Sequence, residues 1–553
     1  MAKIPDSIEY RVGIIGAGPV GLALALRLSD HGIGSVIFDD NPGLKREGSK
    51  ACLIQGDVLE ILDKSGCAAQ VHREGVQWTH GNVYIRGTQI VRAQYELGNR
   101  WGPFVNISQY RIEQILLAEV ERRADIEVCW SSRVDQVEAA AQGVTLGVRQ
   151  GVDETRAFAW VVACNGVRSN VRDLLGVNWL GYRHTSQFLI TDIRAKLPFS
   201  KERHFHFDPE FNRGYQTIIH PQPDDVWRID WQLPPGVDVE RDKVDGGLER
   251  RIRAVIGDVD YELLWMSVYR FQQRRAERLV AGRVMLAGDA AHALPPYGSR
   301  GMNSGIQDAD NLAWKLALVM RGGADASLLE TYHVERTAAA KENIDVTERT
   351  IRFMVPSNPV LWLRRQALFM LARRFRAFRR FVNSGTMAQP HRYLDSPLVQ
   401  PPSAGAAVGR FAADADLSIA GQPAKLRELL GRGFTFVFVG ERPPALLPLP
   451  GEARAALGPL PVNAVVVMAG TGSGPVAQPS TLQLQWARAS AAILRHYVAG
   501  RWHLVRPDMH IASIFDGHRA DEFDAALRHA SLAFATSTRL DGRARPDAEP
   551  IAA

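Results

Sequence analysis

The sequence has few cysteines, no long apolar run and no strong excess of one charge, and each absence argues against a class of protein. Its four cysteines, Cys52, Cys67, Cys129 and Cys164, form no CxxC pair and no metal-ligand spacing. We therefore expect reduced thiols and no metal site. No apolar run reaches about 18 residues, which argues against a membrane-spanning helix. The first residues show no basic-then-apolar signal, so we expect a cytoplasmic protein.

The charge and the length set broad limits on function and organisation. The 66 basic residues exceed the 60 acidic ones only slightly, giving a formal charge of +6. This balance is weak support for a nucleic-acid partner and fits mild attraction of an anionic cofactor or substrate at least as well. A chain of 553 residues is too long for one hydrophobic core, so we expect several domains.

A glycine-rich turn lies between a short apolar segment, 12–15, and a run of alanines and leucines at helical spacing. In this GxGxxG motif, Gly16 permits the tight turn, Gly18 lets the backbone approach a pyrophosphate, and Gly21 lets helix and strand pack closely. The helix N-terminus attracts phosphates. The motif predicts a dinucleotide-binding βαβ unit, without distinguishing FAD from NAD.

An acidic residue follows at the distance that this unit requires. Asp39 ends the next apolar strand, 23 positions after Gly16, where its carboxylate can accept hydrogen bonds from a ribose. Further candidates for cofactor binding are the neighbours of these positions, namely Pro19, Val20 and Asp40.

A second dinucleotide signal occurs at 283–305. An apolar strand runs into Gly288 and Asp289, so that its end would present a carboxylate to a sugar hydroxyl, and a loop rich in proline and glycine follows. A helix starting near Met302 would direct its N–H groups at an anionic part of the ligand. The cofactor-binding candidates of this segment are Gly288, Asp289, Pro296, Gly298, Gly301, Met302 and Asn303.

Three segments together resemble the flavoprotein aromatic hydroxylases, the class that includes phenol hydroxylase and 3-(3-hydroxyphenyl)propionate hydroxylase. They are the GDAAH sequence at 288–292, the proline pair at 295–296 and the DADNLAWKL sequence at 308–316. The resemblance covers about 1–395 in the right order. It implies an FAD whose ribitol is bound by the GD motif and whose isoalloxazine ring borders the loop.

Other positions extend the resemblance, with three departures. Gln109 matches the glutamine that contacts the flavin adenosine and phosphate region, and Asn165 with Gly166 matches the DG motif implicated in FAD and NAD(P)H binding. The departures are Asn165 in place of the aspartate, Lys50 in place of an arginine, and Arg300 in a Ser-Arg-Gly that replaces Gly-Gln-Gly. Lysine cannot form the planar fork that arginine offers a phosphate.

The resemblance implies a single-component monooxygenase. NADH or NADPH would reduce FAD, O2 would give a flavin C4a-hydroperoxide, and its terminal oxygen would attack a phenolic ring. No second GxGxxG follows a strand to make a separate nicotinamide domain, which fits transient contact between NAD(P)H and the flavin. Two alternatives stay open: a non-phenolic substrate, such as a polyketide or a heteroaromatic ring, and an FAD-binding protein without turnover.

The expected fold is α/β, with a Rossmann-like FAD-binding domain at 1–180 and 276–395. Short aromatic and β-branched runs separated by turn residues predict an inserted antiparallel-sheet domain for the substrate at 181–275. Residues 400–553 resemble the thioredoxin-like domain that ends phenol hydroxylase-type members. Dithiol chemistry is excluded there, because no cysteine follows Cys164.

The substrate pocket is expected between the inserted sheet and the flavin loop. Strand alternation allows either set of side chains to face inward. Pro295 is expected to contribute only backbone, and His292 to position its neighbours rather than act as a base. The candidate pocket residues of the sheet are His204, His206, Tyr215, His220, Arg228 and Asp230.

A basic segment at 361–382 holds seven arginines and no acid, with apolar residues at helical spacing. One interpretation is a helix on a membrane surface. The other is a helix packed on the body of the protein or on a dimer partner, with its arginines solvated or paired. We favour the second, because one unlipidated basic helix gives only conditional membrane binding. We therefore expect no stable membrane association, and a homodimer is one option.

Overall fold

The computed structural model describes residues 9–45, 51–95, 100–356, 358–401, 403, 405–448, 454–455, 457–470 and 483–532. The chain forms two compact units, the first from Met1–Trp314 and Tyr332–Arg392 and the second from Lys315–Thr331 and Tyr393–Ala553. Within the described ranges, every helix is too short or too polar to cross a bilayer.

The strands are β1 (Glu9–Ile15), β2 (Ser35–Phe38), β3 (Leu53–Gln55), β4 (Val76–Trp78), β5 (His80–Ile85), β6 (Thr88–Gln94), β7 (Phe104–Asn106), β8 (Ile126–Cys129), β9 (Arg133–Ala139), β10 (Val144–Gln150), β11 (Val152–Ala163), β12 (Trp179–Arg194), β13 (Arg203–Phe207), β14 (Gln216–Pro221), β15 (Val226–Gln232), β16 (Glu262–Ala276), β17 (Val280–Ala281), β18 (Val284–Leu286), β19 (His292–Ala293), β20 (Asp416–Ile419), β21 (Gln422–Lys425), β22 (Phe434–Gly440), β23 (Val462–Ala469), β24 (Gln483–Ala489), β25 (Arg501–Val505) and β26 (Ile511–Phe515).

The helices are α1 (Pro19–Asp30), α2 (Gly56–Lys64), α3 (Ala68–Glu74), α4 (Gln109–Val120), α5 (Asn170–Leu174), α6 (Val239–Val244), α7 (Gly247–Ile256), α8 (Gly301–Met320), α9 (Ser327–Met354), α10 (Pro359–Arg374), α11 (Arg376–Arg379) and α12 (Ala520–Ser531).

The first sheet of the first unit has a parallel core in the order β18-β11-β1-β2-β8. Its central strands are buried on both faces, which explains their continuous apolar sequences. The strands end in register, with Ile15 beside Phe38 and Ala163. Leu286 lies beside Ala163. The residues that follow these four strands therefore meet at one edge of the sheet.

The second sheet has eight strands in the order β19-β16-β12-β15-β14-β13-β5-β6. The antiparallel strands expected from 181–275 form its centre. The sheet also takes in β5 and β6, which lie about a hundred residues earlier in the chain, and β5 pairs with β13 in parallel. This long-range pairing left no signal in the local pattern of residues 80–94, so the sequence analysis did not include them in this sheet.

The second unit contains a seven-stranded mixed sheet in the order β21-β20-β24-β23-β22-β25-β26. Its central strands β22, β23 and β24 are parallel, whereas β25 and β26 add on in antiparallel fashion. Every residue of β22 is buried, as expected for a central strand covered on both faces. With α12 after its last described strand, this unit is of the α/β class, and the thioredoxin-like character of 400–553 stays a prediction.

Candidate active site

The three glycines of the turn after β1 have different surroundings. Gly16 has a φ of +109°, and a Cβ there would lie 2.7 Å from the backbone oxygen of Cys164. A Cβ on Gly21 would lie 1.9 Å from the oxygen of Gly16, whereas a Cβ on Gly18 would meet nothing within 4 Å. Gly16 and Gly21 are therefore required by the protein's own packing, and Gly18 leaves open space at the start of α1 for a ligand.

Asp39 is fixed at the end of β2. Its Oδ2 accepts a hydrogen bond from the N–H of Ala17 at 2.8 Å. Its Oδ1 accepts from the backbone and the side chain of Asn41, at 3.0 and 2.7 Å. The carboxylate thus tethers the glycine turn to the end of the second strand, and it lines the same cavity as Gly18.

Gln109, the first residue of α4, joins the backbone of Ala51 to the side chain of Glu113. Its Oε1 accepts from the N–H of Ala51 at 3.2 Å, and its Nε2 donates to Oε1 of Glu113 at 2.8 Å. Burial raises the pKa of Glu113 to about 7, the hydrogen bond from Gln109 opposes the rise, and the charge of Asp39 adds to it. The sequence analysis missed Glu113, although its place one turn after Gln109 was a usable signal.

The loop after β18 is held from behind. A Cβ on Gly288 would lie 2.9 Å from the side chain of Val20, so this glycine allows α1 and the loop to pack together. The N–H of Gly288 donates to Oδ2 of Asp308 at 2.9 Å. Asp308 lies on α8, so the helix fixes the loop that carries Asp289.

One cavity of about 870 Å³ runs along this edge of the sheet. Lys50 lies outside the described residues, and Gly21 and Gly288 lie behind the cavity wall as packing contacts. The other cofactor-binding candidates all line the cavity: Gly16, Gly18, Pro19, Val20, Asp39, Asp40, Gln109, Asn165, Gly166, Asp289, Pro296, Gly298, Gly301, Met302 and Asn303.

The residues of the cavity wall fit a dinucleotide. Gly18 leaves room for a pyrophosphate at a helix N-terminus, and Asp39 and Asp289 place carboxylates along the cleft for sugar hydroxyls. Asn165 donates from Nδ2 to Oδ1 of Asn170 at 2.9 Å, while its own buried Oδ1 has no hydrogen-bond partner. A buried amide oxygen of this kind calls for a donor from a bound molecule.

Arg300, the departure in the flavin loop, is fixed by the protein. Its Nη1 donates to Oδ1 of Asn343 at 2.6 Å and its Nη2 to the backbone oxygen of Thr386 at 2.8 Å. Burial lowers the pKa of Arg300 to about 10, with Glu342 opposing, so the group keeps its charge at neutral pH. The chain therefore places a cation in the cavity wall beside the start of α8.

The cavity continues to the second sheet, where strand alternation selects one face. Asp230 lies directly beside Ile190 of β12 and Ile218 of β14 in the register of the sheet, so the three side chains share a face. The aromatic residues Phe188, Tyr269, Tyr297 and Phe271 complete an apolar wall at this end. Phe188 and Phe271 pack at a ring-centroid distance of 4.4 Å.

Three ionisable side chains interrupt this apolar wall. Asp230 is partly accessible, its Oδ1 is buried without a hydrogen-bond partner, and burial raises its pKa to about 7 against the opposing charge of Arg228. His220 is buried with its Nδ1 unpartnered, and burial, aided by Arg203, holds its pKa well below the usual range. Arg203 is buried and donates to the backbone oxygen of Ser384 at 3.2 Å.

The structure brings only part of the predicted pocket together. His220 and Asp230 line the cavity, and His206 does not. Phe205 and Phe207 fill the inward face of β13, so His206 points to the other side and stacks on Tyr84 at 4.5 Å. His204, of the same parity, also contacts Tyr84.

The remaining pocket candidates also lie away from the cavity wall. Arg228 shares the inward face but is bound by the carboxylate of Asp192 through two contacts of 2.8 Å. Tyr215 lies in the turn before β14, where it is half-buried. Pro295 is buried, and its neighbour Pro296 lines the cavity instead.

Arg203 is the main pocket residue that the sequence analysis missed. The alternation Arg203, Phe205, Phe207 sets one cation among aromatic residues on the inward face of β13. That pattern was a readable signal, because a lone arginine on an apolar strand face requires a partner inside the protein or in a ligand.

The sequence model of the FAD binding domain family matches residues 9–347, which is more than half of the chain. The chain belongs to this family. This confirms the resemblance to the flavoprotein aromatic hydroxylases and the α/β fold with a Rossmann-like FAD-binding domain. The chain is therefore an enzyme of the FAD-dependent monooxygenase class, with FAD as its cofactor.

Two curated relatives are similar over most of their length. The 6-methylpretetramide 4-monooxygenase of Streptomyces rimosus is 32% identical over 421 residues, covering 73% of each chain. A 3-(3-hydroxy-phenyl)propionate/3-hydroxycinnamic acid hydroxylase of Burkholderia cenocepacia is 28% identical over 437 residues, covering 77% of this chain and 78% of the relative. The similarity to these relatives therefore extends over 73% to 77% of this chain.

Solved structures show the same fold. The flavin-dependent monooxygenase PieE, in complex with FAD and substrate, has a TM-score of 0.76 at 21% identity and covers 96% of this chain and 100% of its own. Aklavinone-11 hydroxylase with FAD and aklavinone has a TM-score of 0.72 at 23% identity and covers 95% of this chain and 99% of its own. At these identities the likeness concerns the fold alone.

Proposed function

We propose that this FAD-binding monooxygenase hydroxylates a phenolic aromatic substrate, with NADH or NADPH and O2 as co-substrates. The observation that supports the proposal is one continuous cavity, which joins the dinucleotide cleft at Gly18 and Asp39 to an aromatic pocket containing Asp230. Bound FAD supplies the redox chemistry that activates O2. The chain supplies a pocket that excludes water and that carries the ionisable side chains of Asp230 and Arg203.

The apolar wall binds the ring and excludes water. Phe188 and Phe271 lie in contact, and Ile190 and Ile218 extend the wall on the neighbouring strands. Ligand pockets of this type combine aromatic walls with a few convergent polar groups. Exclusion of water strengthens the electrostatic interactions within the pocket and limits side reactions.

The polar groups act on the phenol hydroxyl. The carboxyl of Asp230, with a pKa of about 7, can accept the phenolic proton near neutral pH, because a general base works best when its pKa is close to the operating pH. The guanidinium of Arg203 favours the negative oxygen that results. Since a phenolate is richer in electrons than a phenol, this proton transfer prepares the ring for an electrophilic oxygen.

A second candidate is a larger polycyclic substrate, a polyketide or a heteroaromatic ring. The observation that favours it is the 32% identity to a relative named as a 6-methylpretetramide monooxygenase, since the names of relatives include both small phenols and polycyclic compounds. Both candidates use the same pocket and differ in whether the Asp230 carboxyl must accept a phenolic proton.

The test uses the purified, FAD-loaded protein with NADH or NADPH, O2 and a panel of phenols and matched rings without a hydroxyl. We expect phenols to accelerate flavin bleaching and to yield products with one added oxygen by mass spectrometry. Asp230→Asn should lower phenol turnover by about 10²-fold, the usual contribution of a general base. The matched control is His206→Asn, which changes the opposite face of the same sheet and should keep turnover.

Each contrary result has a meaning. Oxygenation of rings without a hydroxyl, with phenols inert, favours the second candidate. A flavin that NADH and NADPH fail to reduce, with or without any ring compound, indicates an FAD-binding protein without turnover. Equal losses in Asp230→Asn and His206→Asn assign the effect to the sheet as a whole and reject the role of the carboxyl.

A further inference from the structure

The segment 360–381, which contains most of α10 and all of α11, exposes an unusual number of large apolar side chains. We call this surface the basic apolar patch, and its exposed apolar members are Val360, Leu361, Trp362, Leu363, Met370, Leu371, Phe375 and Phe381. Single exposed apolar residues are common on proteins. A cluster of eight within 22 residues is not, and contiguous exposed apolar surface marks an interaction site.

The outward side of α10 is more apolar than that of an ordinary surface helix. Its buried side includes Arg365 and Gln366, which are 8% and 7% exposed, together with Phe369. Its outward side carries Leu363 at 62% and Met370 at 60% exposure. A helix that only covered the protein body would carry polar side chains at these outward positions.

The inner side of α10 is firmly attached to the first unit. Phe369 packs on Phe207 at a ring-centroid distance of 5.2 Å, within a cluster that also contains Phe271 and Tyr297 of the cavity wall. Gln366 accepts a hydrogen bond from Arg86. The preferred sequence interpretation, a helix packed on the body, thus describes this side. It does not explain the exposed apolar residues on the outward side.

The patch is also strongly basic. No aspartate or glutamate occurs from residue 351 to residue 394, and the arginines with exposed side chains in the patch are Arg364, Arg373, Arg374, Arg376 and Arg380. In the part of the chain that the structure describes, none of these five forms an ion pair with a carboxylate. Their charge is therefore available to an anionic surface.

The charge of the patch decides between two partners, a second copy of this chain and an anionic bilayer. In a two-fold dimer through this patch, each arginine cluster would face its own copy without an intervening acid, which is repulsive. An anionic bilayer matches both the arginines and the apolar side chains of the patch. Arginines are attracted to its headgroups, and Trp362 with the aliphatic residues suits the boundary with the acyl chains.

We propose that the basic apolar patch binds reversibly to the surface of a bilayer that contains anionic phospholipid. The binding involves no insertion of a spanning helix and does not depend on the proposed hydroxylation. Because α10 packs on the cluster that includes Phe271 and Tyr297, such binding would hold the substrate sheet close to apolar compounds dissolved in the bilayer.

The test is sedimentation of the FAD-loaded, full-length protein with vesicles. Vesicles of phosphatidylcholine alone are compared with vesicles that also contain phosphatidylglycerol, at low and at physiological salt. We expect binding to the anionic vesicles only, weaker at higher salt because the attraction is screened. The triple change Arg374→Gln, Arg376→Gln and Arg380→Gln should weaken binding at least tenfold, and Leu363→Ser with Met370→Ser should weaken it as well.

The matched control removes an equal number of arginine charges elsewhere on the surface, through Arg122→Gln, Arg213→Gln and Arg241→Gln. The side chains of these three arginines are 73%, 78% and 80% exposed. The flavin spectrum and the Tm of every variant verify folding. Loss of binding in the patch variants alone supports the proposal. It is overturned if neither vesicle binds, if the control loses binding equally, or if light scattering shows a dimer that needs the patch while vesicles stay unbound.

Discussion

Nε2 of His292 donates a hydrogen bond to Oδ2 of Asp308 across 2.7 Å, between two side chains that are fully buried. The same carboxylate receives the N–H of Gly288 and, at 2.6 Å, Nε of Arg336 on α9. Burial alone would raise the pKa of Asp308, but His292 and Arg336 hold it below its ordinary value. One carboxylate thus connects the cofactor loop to two long helices.

Removal of this charge should be costly. Asp308→Asn removes the carboxylate from its buried ion pair with Arg336, and breaking a buried pair is expected to cost about 3–5 kcal/mol. Because the pKa of Asp308 is lowered in the folded protein, its contribution is complete above the unfolded pKa and is lost as the pH falls through the folded value. Urea unfolding should therefore separate the variant from the parent most at neutral pH and least in acid.

The control for Asp308 is a solvent-exposed ion pair. Glu240→Gln removes the pair with Lys243, in which Glu240 is 78% exposed at its side chain. Such pairs contribute about 0–1 kcal/mol. Equal destabilisation of Asp308→Asn and Glu240→Gln would show that the buried network does not hold the loop.

The sequence predicted the local parts of this site and missed the connections between them. Gly16, Asp39 and Asp289 were readable because each lies at the end of a short apolar strand, and parallel strands bring their ends to one edge. The link from Asp308 to Arg336 joins side chains 28 residues apart in sequence. No local pattern encodes such a contact, because it depends on how two helices pack.

Strand parity marks another limit. The alternation of β13 was visible in the sequence, but either face could have been the inner one. The structure settles the question through packing, since Phe205 and Phe207 fill the core and Arg203 follows them into the cavity. His206 was chosen from the polar half of the strand, which faces Tyr84 instead. The pairing of β5 with β13 was equally beyond reach of local patterns.

The glycine turn yields a prediction with an internal control. Gly21→Ala places a Cβ 1.9 Å from the oxygen of Gly16, so the protein should fold poorly or lose stability with and without FAD. Gly18→Ala meets no protein atom within 4 Å, so the Tm of the apoprotein should stay unchanged. FAD binding by Gly18→Ala should weaken by about tenfold or more, roughly 1.4 kcal/mol, because the methyl group would fill the open space that we assign to the pyrophosphate.

Calorimetry of the apoproteins and titration with FAD distinguish these outcomes. If Gly18→Ala binds FAD as tightly as the parent, the open space at the start of α1 is not the phosphate site. If Gly21→Ala is as stable as the parent, the close packing of α1 on the turn is not required.

Asp230 should make stability fall as the pH rises. Its pKa is about 7 in the folded protein against an ordinary value of 3.8, so between these values the folded state binds more protons than the unfolded state. Stability therefore decreases across this window, by up to about 4 kcal/mol at roughly 1.4 kcal/mol per pKa unit. Asp230→Asn should remove the decrease. Urea unfolding at pH 5 and pH 8 would contradict this if parent and variant showed the same pH dependence.

Glu113 should make FAD binding depend on pH. Its carboxyl accepts a hydrogen bond from Gln109, lines the cavity with Asp39, and has a pKa of about 7. The anionic pyrophosphate of FAD disfavours the charged form of Glu113 in a cleft that already holds Asp39. FAD should therefore bind with uptake of a proton by Glu113. The affinity of the parent should then fall above pH 7, by at most about tenfold per pH unit. Glu113→Gln keeps the shape without the charge, so its affinity should stay level and exceed that of the parent at pH 8.

FAD titrations of both proteins from pH 6 to pH 9, followed by quenching of flavin fluorescence, measure this difference. Parallel curves would mean that Glu113 is remote from the phosphates and that its raised pKa reflects only the packing of α4.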